Sequence, residues 1–136
     1  MWIEFHLLII LKMDCGAHVE LEKTKHMIGK REIGLMKKNA VLVNTARGPV
    51  VDEKALISAL KENRIFSAGL DVFEEEPMIP DELIALKNVV LAPHIGSASL
   101  ETRTAMSVMA AENLIDAYES RVPKAIVNPE VLEKKR

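Results

Sequence analysis

Arg47, Glu76 and His94 are the residues whose types could do chemistry together, and they are separated by 29 and 18 positions. A guanidinium grips a carboxylate through a two-bonded fork, and an imidazole partnered by a carboxylate is an acid–base group suited to neutral pH. Singly, none of the three says much. Loop arginines are ordinarily solvated, the run Glu74-Glu75-Glu76 reads as a hydrated surface, and a histidine behind a proline is commonly structural. What joins them is place: each follows a stretch that reads as a β-strand, and in an open α/β sheet ligands bind just beyond the carboxyl ends of the strands. The trio therefore describes a site for a 2-oxo acid.

The elements that must hold these residues alternate short apolar runs with helical patterns, which predicts an α/β fold with a parallel sheet and flanking helices. Ala40-Val41-Leu42-Val43 is too apolar for a half-exposed strand and is expected at the centre of the sheet. The stretch from Ile65 to Val72 reads as the next strand and Val89 to Ala92 as a third, stopped by Pro93. Leu7 to Leu11 is expected to form a further buried strand. Ile33, Leu35 and Met36 mark a short helical stretch. Asp52 caps a helix that places Ala55, Leu56, Ala59 and Leu60 on one face and stops near Asn63. Ser99 opens the longest helix, from Leu100 to about Ser120, with Ala105, Val108, Met109, Glu112, Leu114 and Ile115 along a mixed but mostly apolar stripe, and Pro123 ends it. Met36, Met106 and Met109 read as core fillers.

The bulk properties narrow the function. The chain's 136 residues carry 18 Lys plus Arg against 20 Asp plus Glu, a net charge of -2, and 49% apolar residues. That length suits one domain burying roughly 68% of its unfolded surface. Near neutrality offers no field to hold a phosphate backbone, so nucleic acid is excluded as a partner. The longest apolar run at the amino end is far below the ~20 residues that cross a bilayer, and no membrane partner is expected. The single cysteine, Cys15, has no companion for a disulfide and no metal-ligand spacing around it, so no metal is expected and a cytoplasmic setting fits.

Val43-Asn44-Thr45-Ala46-Arg47-Gly48, Gly69-Leu70-Asp71-Val72-Phe73-Glu74 through Pro77, and Pro93-His94-Ile95-Gly96-Ser97 together resemble the D-2-hydroxyacid dehydrogenase family. The resemblance runs from about Thr24 to about Asn128, and Pro93 through Ala98 is more similar to glyoxylate and hydroxypyruvate reductases than to phosphoglycerate dehydrogenases. It implies a partial Rossmann-type dinucleotide-binding domain, NAD or NADP as cofactor, and a small 2-oxo or 2-hydroxy acid as substrate. It also implies roles. Arg47 binds the substrate carboxylate and polarises the carbonyl, His94 donates the proton in reduction, and Glu76 bonds the other imidazole nitrogen. Asp71 contacts the nicotinamide carboxamide, and Thr45, Ala46, Gly96 and Ser97 border the same ring. The cofactor supplies the hydride.

Departures from the family pattern matter as much. The glycines before Ala40 are Gly16, Gly29 and Gly34, which do not make the Gly-x-Gly-x-x-Gly turn that cradles a pyrophosphate. The family's His-Val-Pro-Leu stretch stands here as His18-Val19-Glu20-Leu21, one residue short of its following Thr, and the resemblance fades before His18. The expected organisation is a divergent segment over 1–23, the carboxyl half of a NAD(P)-binding domain over 24–128, and a charged, frayed tail over 129–136. Three functions compete: an active reductase completed elsewhere, a non-catalytic remnant, and a dinucleotide-sensing scaffold. For the chain by itself the remnant is the preferred expectation, with a homo-oligomer covering the surfaces that half a domain exposes. His6, His18 and His26 carry no partner motif.

Overall fold

The computed structural model describes residues 8–11 and 21–135. The expectations for His6, Cys15 and the His18 to Glu20 stretch, and most of the divergent segment over 1–23, lie outside these residues. The chain gathers into two compact units, Met1–Gly96 and Ser97–Arg136.

The first unit holds a four-stranded, wholly parallel sheet in the order β1 (Leu8–Leu11), β2 (Val41–Asn44), β3 (Ser67–Leu70), β4 (Val89–Leu91). Each strand returns to the sheet through helical segments: α1 (Leu21–Thr24) and α2 (Lys30–Leu35), then α3 (Glu53–Lys61), then α4 (Asp81–Ile84). The α/β class and the interior place of β2 are as the patterning predicts. Side chains alternate along a strand, so each strand offers one set to each face. Leu42, Ala68 and Leu70 are buried on one face with Ile33, Leu56, Leu60, Ile65 and Leu83 in a single core. On the opposite face Val41, Val43, Ser67 and Gly69 are half-buried, Val90 is exposed, and a hollow of about 560 Å³ lies against them.

Local signals account for the ends of the helices. Asp52 accepts the Ala55 N–H at 3.0 Å, which satisfies one of the free donors opening α3. The Gly29 N–H donates to the Glu32 carboxylate at 3.1 Å at the start of α2, and Arg64 donates to the Met36 carbonyl at 2.7 Å beyond its end.

Several boundaries differ from the pattern, β2 running one residue later than Ala40–Val43 and β4 stopping at Leu91. The strand expected over 65–72 pairs only over Ser67–Leu70, because β2 offers four residues for pairing; Ile65 enters the core ahead of it, while Asp71 and Val72 turn into the next loop. The short helices α1 and α4 and a 3-10 turn at Gly48–Val50 carry too few residues to show a helical period.

The second unit is dominated by α5 (Leu100–Tyr118), capped where Ser99 accepts the Thr102 N–H at 3.1 Å. Its stripe was expected to pack as core, yet no residue of α5 is buried, and Met106, Val108, Met109, Leu114 and Ile115 are all exposed. Only Asn113 and Asp116 are half-buried, where Asn113 accepts the Ala125 N–H at 3.2 Å and Asp116 binds Arg121 at 2.8 Å. Pro129–Lys135 forms a 3-10 helix; the proline begins it and Val131 N–H closes its turn on the Asn128 carbonyl at 3.1 Å.

Candidate active site at the carboxyl edge of the sheet

Three loops leave the carboxyl ends of β2, β3 and β4, and two polar side chains at the strand ends, Asn44 and Asp71, hold the first and the last of them. Asn44 ends β2 fully buried, donating from its amide to the Arg47 carbonyl at 3.0 Å and accepting the Ala46 N–H at 3.1 Å. It thereby folds the Thr45-Ala46-Arg47 loop back on itself. Asp71, just past β3 and 6% exposed, accepts the Ile95 N–H at 2.7 Å on one carboxylate oxygen and the Gly96 N–H at 2.6 Å on the other. Successive amides aimed at one carboxylate form an anion nest, and here the anion is the protein's own. The clamp sits immediately after His94, a non-glycine residue held in the left-handed region at φ 54.

The trio converges. The ionised Glu76 carboxylate can only accept, so His94 Nδ1–H donates to Glu76 Oε2 at 2.9 Å, and Phe73 N–H donates to Oε1 at 3.0 Å. No described residue bonds the other ring nitrogen of His94. Partial burial raises the Glu76 pKa, but the His94 hydrogen bond, the Phe73 N–H and the positive charges of His94 and Arg47 outweigh it, leaving the carboxyl below its usual range. Arg47 therefore acts on Glu76 through its charge, while its Nη1 donates to the Ala46 carbonyl at 2.7 Å.

The other expected residues are placed as follows. Thr45 is exposed, Ala46 is buried, and Gly96 lies over Asp71 and Thr45, since a Cβ built on it would come 2.9 Å from Asp71 Oδ2 and 3.8 Å from Thr45 Cβ. Ser97 opens the second unit. The hollow on the sheet face is lined by none of the trio. Among the described residues no group of three His, Cys, Asp or Glu could hold a metal, and no helix is long and apolar enough to cross a membrane.

Sequence reading passed over several residues that build this edge. A Cβ on Gly48 would stand 1.8 Å from the Phe73 carbonyl oxygen, so the Arg47 and Glu76 loops run backbone against backbone there. Glu53 and Glu74 exchange bonds: each backbone N–H donates to the other's carboxylate, at 2.9 and 2.8 Å. Burial pushes the Glu53 carboxyl above its usual range, the Glu74 N–H partly offsets this, and the charges of Glu74 and Glu75 add to it. His26, which has no motif around it, bonds Glu74 at 2.9 Å. Of these, a buried-strand pattern ending in Asn is the one local signal available for Asn44. The rest depend on partners 21 or more positions away.

A parallel α/β sheet with ligand-type residues gathered at its carboxyl edge defines a Rossmann-type nucleotide-binding unit. The family model described as "D-isomer specific 2-hydroxyacid dehydrogenase, NAD binding domain" matches residues 17–96, and the chain belongs to that family. Among its relatives, glyoxylate reductase of Thermococcus litoralis is 53% identical over 132 residues, which cover 96% of this chain and 40% of that protein. Glyoxylate/hydroxypyruvate reductase B of Enterobacter agglomerans is 55% identical over 112 residues, 82% of this chain and 35% of the relative. The solved structure of the NADPH-dependent glyoxylate/hydroxypyruvate reductase of Sinorhizobium meliloti in complex with NADP and malonate superimposes with a TM-score of 0.67 at 42% identity, covering 71% of this chain and 30% of that one. The chain thus spans well under half the length of the relatives it matches.

Proposed function

We propose that this chain carries the carbonyl-reducing part of a dehydrogenase that moves hydride between NAD(P)H and a small 2-oxo acid of the glyoxylate or hydroxypyruvate kind. The observation that carries the reading is the His94–Glu76 bond at 2.9 Å, which spends Nδ1 on the carboxylate and leaves Nε2 for a substrate. Arg47 would bind the substrate carboxylate in a bidentate fork, turning the carbonyl toward His94 and drawing electron density from it. His94 would give its Nε2 proton to the carbonyl oxygen as the alcohol forms, and Glu76 would hold the ring in place during that transfer.

The residues present fit the nicotinamide end of the cofactor. Each Asp71 oxygen accepts one N–H and has a second lone pair with which to take a carboxamide N–H, while Gly96, where a Cβ would crowd Asp71, keeps the approach narrow. Thr45 and Ala46 would complete that border. The cofactor, when bound, supplies the hydride. Residues 24–128 are read as the carboxyl half of the NAD(P)-binding domain, preceded by a divergent segment and followed by a charged tail, in a cytoplasmic homo-oligomer.

A second reading keeps the geometry without turnover. The described glycines, Gly29, Gly34, Gly48, Gly69 and Gly96, are not spaced to cradle a pyrophosphate, so the chain by itself would hold the nicotinamide weakly. Titration with malonate or glyoxylate, followed by amide and side-chain NMR, tests the site itself: shifts at Arg47, Glu76 and His94 are expected, weakened about tenfold in Arg47→Lys. Shifts confined to other residues overturn the assignment. Glyoxylate-dependent oxidation of NADH or NADPH then separates the readings, with trace activity expected of the isolated chain and turnover on the order of ~10 s⁻¹ excluding the second one.

A further inference from the structure

His26 and His94 grip one loop from two sides. His94 Nδ1–H donates to Glu76 at 2.9 Å, and His26 Nε2–H donates to Glu74 at 2.9 Å, so two imidazole–carboxylate pairs stand two residues apart along a single turn of chain. The second pair is part of a wider brace. Glu74 Oε1 also accepts the Glu53 N–H at 2.9 Å, and Glu74 N–H donates back to Glu53 at 2.8 Å. The backbone of His26 is anchored as well, donating to the Pro49 carbonyl at 2.8 Å, two residues past Arg47. Ile28 N–H continues the seam to the Val50 carbonyl at 3.0 Å.

We infer that His26 is a positioning residue of the candidate active site: through Glu74 it holds the Phe73–Met78 loop where Glu76 meets His94, and through Pro49 it ties that loop to the one bearing Arg47. The inference rests on the reading of Glu76 and His94 as the acid–base pair, and it adds a residue that touches neither substrate nor cofactor.

Charge explains why the loop needs such a partner. Glu53, Glu74, Glu75 and Glu76 crowd one end of the sheet, and the negative charges of Glu74 and Glu75 press on the buried Glu53. An imidazole N–H placed on Glu74 satisfies an oxygen and, when the ring is protonated, neutralises part of that repulsion. The bond is neither buried nor free in water, with side-chain exposures of 39% for His26 and 25% for Glu74. His26 itself sits in the left-handed region at φ 53, a conformation that asparagine tolerates and most other side chains avoid.

That tolerance sets the experiment. In the full chain, His26→Asn preserves the backbone conformation but is too short to reach Glu74, whereas His26→Gln restores an N–H at nearly the original reach. Two readouts follow Glu76 without relying on turnover: the carboxyl ¹³C titration of Glu76 and hydrogen exchange at the Phe73 amide that donates to it. In His26→Asn the Glu76 midpoint should climb toward the usual carboxylate range and Phe73 exchange should quicken about tenfold. Gln should recover most of both, and Glu74→Ala, which also removes the acceptor of the Glu53 N–H, should cost at least as much as the Asn variant, with no further loss when His26→Asn is added to it. A folded His26→Asn with unchanged Glu76 titration and Phe73 exchange, or a Gln variant no better than Asn, overturns the inference. Should Asn fail to fold, His26→Gln against Glu74→Ala is the deciding pair, and equal behaviour of the two is likewise fatal. Malonate binding at Arg47 is scored separately, so failure of the functional reading and failure of the His26 role give different results.

Discussion

The loops at the carboxyl edge of the sheet and the 19 residues of α5 reverse the usual relation between polarity and burial. This edge is rich in Asn, Asp and Glu, yet Asn44 at the end of β2 is 1% exposed, Asp71 just past β3 6%, and Glu53 at the start of α3 8%. Helix α5 carries leucine, valine, isoleucine and methionine, and buries none of them. The difference lies in partners. Each buried polar group on the edge has its hydrogen bonds supplied, which removes the penalty of leaving water, whereas an apolar stripe gains from burial only when a surface is set against it. Burial here reports assembled contacts more faithfully than composition does.

Gly48→Ala should strike the edge hardest. Its methyl would enter the space of the Phe73 carbonyl at 1.8 Å, so the two loops must part, at a cost of roughly 3 kcal/mol in denaturant unfolding. Stability unchanged within error would mean that the loops are not in backbone contact and would remove the contrast with α5.

Acid comes next. Glu76 titrates below its ordinary value of 4.5 in the folded chain, so the folded state binds that proton less tightly than the unfolded one does. Its stabilising contribution is therefore complete above pH 4.5 and is lost as pH falls through the lowered folded value. Solvent around a side chain 36% exposed keeps the effect modest. Glu76→Gln should flatten this part of the stability profile measured against wild type. An identical slope in the two proteins would show that the His94 bond does not form in solution.

The smallest effect is expected on α5. Leu114→Ala, at a side chain 72% exposed, should change unfolding free energy by no more than about 0.5 kcal/mol. A loss of several times that would show the stripe to be covered in solution, and the comparison between the two regions would close.

Strands and caps were legible because their causes are local. The apolar run ending in Val43 makes a central strand, and Asp52 and Ser99 each reach a backbone N–H three residues on. Arg47, Glu76 and His94 stood out for a related reason: each is a reactive type placed just after a strand. His26, Gly48, Glu53 and Glu74 gave no such sign. The bond from His26 to Glu74 spans 48 positions and the Glu53–Glu74 exchange spans 21, and no spacing rule links residues that far apart.

The sequence by itself determined the parallel α/β plan, the order of the strands and of α2, α3 and α5 among them, and the chemical types at the carboxyl edge, because propensity, alternation and capping act within a few residues of their cause. Tertiary structure alone decided which carboxylate each histidine received, how closely the Arg47 and Glu76 loops approach, and that Asp71 spends both oxygens on the amides following His94. Those outcomes belong to parallel strands laid side by side, which bring distant loops to one edge and leave their polar groups to satisfy one another.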